Sequence, residues 1–204
     1  MSIKTVVFDL GGVLIDWNPR YLYRKIFGTE DEVEHFLENI CTSDWNAEQD
    51  AGRSFKEAVR LLQKKYPEYA IEIAAYDERW QEMLGPELTP TINVLKDVHK
   101  NGTQLFALTN WSSEKFRIAK PQFPFLELFE NILVSGEVGL KKPDIAIFKL
   151  FLDKYRLTAA TTFYIDDNLE NVEVALSLGM QAIQFSSAQQ LRNELVNIGV
   201  LQEH

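Results

Sequence analysis

Thr5-Val-Val-Phe-Asp-Leu-Gly-Gly-Val-Leu-Ile-Asp16 is the stretch around which the chain is organised. Its β-branched and aromatic run has no polar alternation, so it reads as a parallel strand covered on both faces. The run stops at Asp9, and open α/β sheets hold their ligands at the carboxyl ends of their strands. Gly11 and Gly12 let the backbone turn sharply there. An ordinary Asp, with a pKa of about 3.9, is ionised at neutral pH. Asp9 is therefore a candidate nucleophile, metal ligand or both, although a strand-end Asp also serves simply to cap a loop.

Beyond Asp16 the pattern changes. Tyr21–Phe27 takes helical spacing that stops at Gly28, and Val33, Phe36, Leu37 and Ile40 form an i, i+3, i+4, i+7 stripe. Ser54–Tyr66 and Tyr69–Leu84 read as further helices, closed by Gly85-Pro86. No buried strand is expected between Tyr21 and Leu84. From Thr89 the alternation returns, with helices over Thr91–Lys100, Ser113–Ala119, Asp144–Tyr155, Leu169–Leu178 and Ala188–Asn197. Between them lie strands at Gln104–Thr109, Phe129–Val134, Thr162–Ile165 and Gln181–Phe185. Such alternation implies βαβ units and an α/β parallel sheet. All its carboxyl ends share one edge, so Asp9, Thr109-Asn110, Lys142 and Asp166-Asp167 are expected to converge.

Four motifs in order carry a resemblance: Phe8-Asp9-Leu-Gly-Gly-Val13, Leu108-Thr109-Asn110-Trp111-Ser112, Gly139-Leu-Lys-Lys142-Pro143-Asp144 and Tyr164-Ile-Asp166-Asp167-Asn168. Together they resemble the haloacid dehalogenase superfamily over nearly the whole chain, most closely its bacterial glucose-1-phosphate phosphatase-like subgroup. The resemblance implies a Rossmann-like core of residues 1–16 and 85–204 with an inserted helical cap at 17–84. It also implies roles. Asp9 would attack phosphorus to give an aspartyl-phosphate, which splits one hard step into two. Thr109 and the Asn110 amide would bind the phosphoryl group, and Lys142 would pair with it and steady Asp9. Asp9, Asp167 and the Gly11 carbonyl would hold Mg²⁺, whose hard oxygen ligands these are. Asp166 is either a further ligand or the orienter of a water.

One position departs from the pattern. Phosphatases of the superfamily carry a general acid two residues after the nucleophile, where this chain has Gly11. Asp16 is a candidate substitute, and a preference for activated or anomeric phosphates is the expected consequence. The expected activity is Mg²⁺-dependent hydrolysis of small phosphorylated metabolites, sugar 1-phosphates among them. Two alternatives stand beside it: a 2-haloacid dehalogenase, and a phosphate-binding regulatory protein that has lost turnover. Dehalogenases of the superfamily lack the carboxylates of the fourth motif, and Asp166-Asp167 would repel Asp9 without a cation between them. Trp45 and Arg53 are weaker candidates for facing the substrate, and Cys41 reads as a small buried apolar residue.

Composition bounds the rest. A net charge of −9 argues against a nucleic-acid surface, which shows a basic face. One cysteine excludes a disulfide framework. The first residues carry no basic segment with an apolar core and cleavage site, and no apolar run is long enough to span a membrane. The expected setting is reducing and cytoplasmic, with no nucleic-acid or membrane partner.

Overall fold

A computed structural model describes residues 2–202. In chain order it contains β1 (Thr5–Phe8), β2 (Ile15–Trp17), α1 (Arg20–Tyr23), α2 (Glu30–Asn39), α3 (Ser43–Asp50), α4 (Phe55–Lys65) and α5 (Ala70–Glu78). There follow β3 (Leu84–Glu87), α6 (Thr89–Lys100), β4 (Gln104–Thr109), α7 (Ser113–Ala119), β5 (Asn131–Val134) and α8 (Ser135–Val138). The chain ends with α9 (Ile145–Tyr155), β6 (Thr162–Asp166), α10 (Leu169–Ser177), β7 (Gln181–Gln184) and α11 (Ala188–Asn197).

Five strands form one parallel sheet in the order β5-β4-β1-β6-β7, the α/β architecture expected from the alternation. Successive strand residues point to opposite faces, and both faces are covered. Val6 and Phe8 join one apolar cluster with Leu105, Ala107, Phe163 and Ile165. Val7 joins the other, with Phe106, Leu108 and Tyr164 against Ile147, Phe148 and Phe151 of α9. This explains the absence of polar alternation in the first strand.

Register sets the site. Phe8 pairs with Ala107 on one side and Ile165 on the other, so Asp9, Leu108 and Asp166 follow at one edge. Local chemistry starts the helices beside it. Asp144 caps α9, accepting from the Ala146 N–H at 2.8 Å, and Asn168 caps α10, accepting from Glu170 at 2.8 Å. Each cap thus ends the turn that carries Lys142 or Asp167.

The stretch between β2 and β3 is helical, and its core is continuous with one face of the sheet. Tyr23, Phe36 and Tyr76 pack ring against ring at its centre, Tyr23 and Phe36 with centroids 4.6 Å apart. Thr29 and Glu32 close α2 with a reciprocal capping box.

Three features differ from the sequence reading. Trp17 and Gly85-Pro86 were expected as breaks, yet they belong to an antiparallel ribbon that pairs Trp17 with Leu84 and Ile15 with Glu87. A two-stranded ribbon has free edges, where Pro is tolerated. The helix expected over Tyr21–Phe27 is regular only over Arg20–Tyr23. Helix α3 was not expected at all, because Ser43–Asp50 has no apolar stripe; Thr42 starts it by accepting from the Trp45 N–H at 3.1 Å.

Candidate active site

Asp9 leaves the sheet at the end of β1, its own N–H still donating to Ile165 O at 2.8 Å. Its Oδ1 accepts from the Leu10 N–H at 2.7 Å and lies 3.0 Å from Lys142 Nζ. Two contacts on one oxygen fix the carboxylate's orientation.

Lys142 is buried, and each of its three N–H bonds has a partner: Asp9, Asp166 at 2.7 Å and the Leu108 carbonyl at 3.0 Å. Its backbone is clasped as well. The Asn110 side chain donates to Lys142 O at 2.9 Å and accepts from Lys142 N at 2.8 Å. Asn110 was expected to act through its backbone amide; its side chain ties the end of β4 to the lysine. The Lys142–Pro143 peptide is cis.

Asp166 is fully buried and surrounded by donors. Besides Lys142 it accepts from the Tyr164 hydroxyl, from the Asn168 N–H at 2.9 Å and from Asn171 Nδ2 at 3.0 Å. Burial acts against its charge, but Lys142, Tyr164 and Asn171 more than offset that and hold its pKa below the ordinary value. Burial likewise opposes the charge on Lys142, and Asp9 and Asp166 more than offset it, so the ammonium persists. Asp9 goes the other way. Burial, helped by the charges of Asp166 and Asp167, pushes it up to about 7 against the pull of Lys142. Asp167 is also raised, first by burial and then by Asp166.

One lysine therefore faces three carboxylates at this site. Oxygens of Asp9, Asp166 and Asp167 lie within 4.8 Å of one another. A divalent cation would balance them, and a set of hard carboxylate oxygens suits Mg²⁺. Because Asp166 is already saturated with donors, Asp9 and Asp167 are the carboxylates with capacity for the ion. Gly12 makes room for this arrangement. Its φ is +72°, and a Cβ there would stand 2.9 Å from Asp167 Cγ and nearer still to Oδ2.

Thr109 is buried at the end of β4, one residue before the Asn110 clasp. The loop after it is pinned from below. Ser135 Oγ accepts from the Trp111 N–H at 2.9 Å, and a Cβ on Gly136 would press to 2.6 Å from Ser113 N. Trp111 and Ser112 thereby become the floor of a cavity of ≈ 110 Å³, and the Gly11 turn reaches the same space. Its walls are Trp17, Phe55 and Trp80, with Asn46 and Asp50 of α3. Trp45 is not among these residues; it packs edge-on against Tyr76 with centroids 4.9 Å apart. Arg53 is tied to Gln49 and to the Trp45 carbonyl. Asp16 accepts from the Tyr21 hydroxyl at 2.5 Å and packs against Gly85, away from the cavity lining. Cys41 is buried, as its type suggested.

A strand-end carboxylate, a fixed lysine and a second carboxylate thus meet at one edge of a parallel sheet. The model of the haloacid dehalogenase-like hydrolases matches residues 3–179. The chain belongs to this hydrolase family. Among its relatives is the sesquiterpene phosphatase astK of Aspergillus oryzae, 26% identical over 187 residues, covering 92% of each chain. Drimenol cyclase drtB of Aspergillus calidoustus is 26% identical over 96% of this chain, which spans only 36% of that protein. The phosphoglycolate phosphatase of Vibrio cholerae is 22% identical over 87% of this chain and 82% of its own. In fold, the hydrolase is similar to a HAD family enzyme of Bacteroides thetaiotaomicron solved with magnesium and inorganic phosphate. That structure has a TM-score of 0.72 at 22% identity, covering 91% of this chain and 95% of the other. Among the described residues no helix is long and apolar enough to cross a membrane.

Proposed function

We propose that the hydrolase is a Mg²⁺-dependent phosphatase of small phosphomonoesters that works through an aspartyl-phosphate on Asp9. The observation that carries this reading is the Asp9–Lys142 pair, 3.0 Å apart, beside an Asp167 that has capacity for a cation. Asp9 attacks phosphorus; Lys142 holds it in line and offsets charge on the phosphoryl oxygens. Thr109 supplies a hydroxyl at the adjacent strand end, and Asp166 and Asn110 keep Lys142 in place. Mg²⁺, held by Asp9, Asp167 and the Gly11 carbonyl, would supply positive charge where the phosphate's negative charge must approach Asp9. The phosphatase names of the Aspergillus oryzae and Vibrio cholerae relatives support the reaction class.

Residues 17–84 act in this reading as a cap over the strand ends. The cavity between cap and sheet suits a compact leaving group, because four aromatic side chains line it beside Asn46, Asn110 and Ser112. A sugar phosphate, and a sugar 1-phosphate in particular, combines an apolar ring face with hydroxyls that match this lining. The saturated Asp166 and the exposed Asp167 carboxylate beside Asp9 weigh against the dehalogenase reading, which has no use for a cation.

Purified protein assayed against a phosphomonoester panel, with chelator and then with Mg²⁺, tests this directly. Hydrolysis is expected to vanish in chelator and return with Mg²⁺, and Asp9→Asn is expected to abolish it. Chloride release from a 2-haloacid, undiminished by chelator, would replace the proposal with the dehalogenase.

A further inference from the structure

Gly11 leaves the site without an acid where the family's phosphatases have one, and the space beside it is open: a Cβ on Gly11 would meet nothing within 4 Å. The cavity that Gly11 lines contains one titratable side chain among its lining residues, Asp50 at the end of α3. Asn46 Nδ2, one turn earlier, lies 3.4 Å from its Oδ2. Lys142, which holds Asp9, is near enough to act on the charge of Asp50 as well, as are Lys141 and the Ser112 amide. Tyr76 faces it from α5. Asp50 thus lines the same cavity as the Gly11 turn and touches the loop that follows Thr109 through the Ser112 amide.

We propose that Asp50 is the general acid of the reaction, delivering from the cap the proton that Gly11 cannot deliver from the nucleophile loop. The proposal rests on the phosphatase reading. As Asp9 attacks, the bond from phosphorus to the ester oxygen breaks and its electron pair stays on that oxygen, which takes the Asp50 proton and departs as an alcohol. Water then attacks the aspartyl-phosphate and gives its proton to the Asp50 carboxylate. The bond from phosphorus to Asp9 breaks, inorganic phosphate forms, and both aspartates regain their starting states. Burial supports the assignment, since it pushes the Asp50 carboxyl up to about 7 against the pull of Lys141, Ser112 and Lys142. A donor poised near the working pH is what acid catalysis requires. Asp16, the substitute suggested by sequence, is bonded to Tyr21 and does not line the cavity.

The test compares kcat/KM of the unaltered enzyme and Asp50→Asn, with Mg²⁺, over phosphate esters of graded leaving-group acidity. Asn keeps the size of Asp50 but has no acidic proton to give. Alkyl phosphates are expected to slow by about 10²- to 10⁴-fold, the usual contribution of a positioned acid, while para-nitrophenyl phosphate barely changes. Gly11→Asp in the Asp50→Asn background is expected to restore much of the alkyl activity, since the space at Gly11 is open. Equal slowing of every ester, or a change in KM alone, would overturn the proposal and leave Asp50 a binding residue. Failure of the unaltered enzyme on every ester would instead remove the phosphatase reading beneath it.

Discussion

Lys142 Nζ stands 2.7 Å from Asp166, and neither side chain is more than 1% exposed. The contact binds the third motif to the fourth through the middle of the protein. Removing one partner of a buried pair leaves the other charged without compensation, which costs about 3–5 kcal/mol. Lys142→Met is therefore expected to lower stability by roughly that amount, and Asp166→Asn by less, because the ammonium keeps Asp9 and the Leu108 carbonyl. Urea unfolding measures it. Asp166 titrates below its ordinary pKa, so its contribution is present above about pH 4 and disappears as acid protonates it. An unfolding midpoint unchanged in both variants would mean that the pair is not a structural link.

Adjacent glycines in the loop after Asp9 give opposite expectations. A methyl on Gly11 meets open space, whereas at Gly12 it meets the Asp167 carboxylate at a φ of +72°. A side chain in that left-handed conformation costs roughly 1–2 kcal/mol before any clash is counted. Gly12→Ala should displace Asp167 and abolish the rise in Tm that Mg²⁺ gives a protein binding it only in the folded state. Gly11→Ala should keep that rise. A thermal melt of each variant with increasing Mg²⁺ decides the matter, and equal responses would separate Asp167 from the metal.

What could be read from sequence followed from burial. The sheet announced itself because its central strands are apolar on both faces; register then brought Asp9, Thr109 and Asp166-Asp167 to one edge, where the Asn110 side chain holds Lys142. The saturation of Asp166 was not legible, since it depends on Tyr164 and Asn171 folding onto it. Nor was α3. Ser43-Asp-Trp-Asn-Ala-Glu-Gln-Asp50 has no apolar stripe to signal a helix, because its side chains face a cavity and solvent more than a core. Periodicity detects residues that pack against protein, so it passed over the helix that contributes Asn46 and Asp50. The Trp17 ribbon escaped for a related reason: Gly85 and Pro86 read as breakers, and only the pairing with β2 gives them a place.

The proposed cap is fastened to the sheet side by Lys115 of α7, whose buried ammonium bonds the Asp77 carboxylate and, at 2.9 Å, the Asp77 carbonyl. It also lies 4.6 Å from the centre of the Phe55 ring, a cavity wall. Held this way, the cap should admit small esters and exclude a phosphoprotein. Lys115→Met is expected to loosen it, raising KM for small esters and letting water into the site. Phosphoprotein hydrolysis by the unaltered enzyme, at a rate matching small esters, would contradict an occluding cap.

Asp50 offers a readout that needs no substrate. Its carboxyl titrates near 7 in the fold and at about 3.9 in the unfolded chain. The folded state therefore binds this proton more tightly, and the stability it confers is complete below about pH 4. That stability is lost as pH rises from there towards 7, because the native cavity must then hold a carboxylate. Asn carries no charge at any pH, so Asp50→Asn is spared the loss. The difference in Tm between Asp50→Asn and the unaltered protein should move in favour of the variant between pH 4 and pH 8, and level off above about pH 7. Asp9 and Asp167 titrate in both proteins, so taking the difference removes most of their effect. Melts in chelator, with no metal to shift those carboxylates, give the comparison. A difference that stays constant across this range would show that burial leaves Asp50 an ordinary surface carboxylate, with no proton to offer at neutral pH.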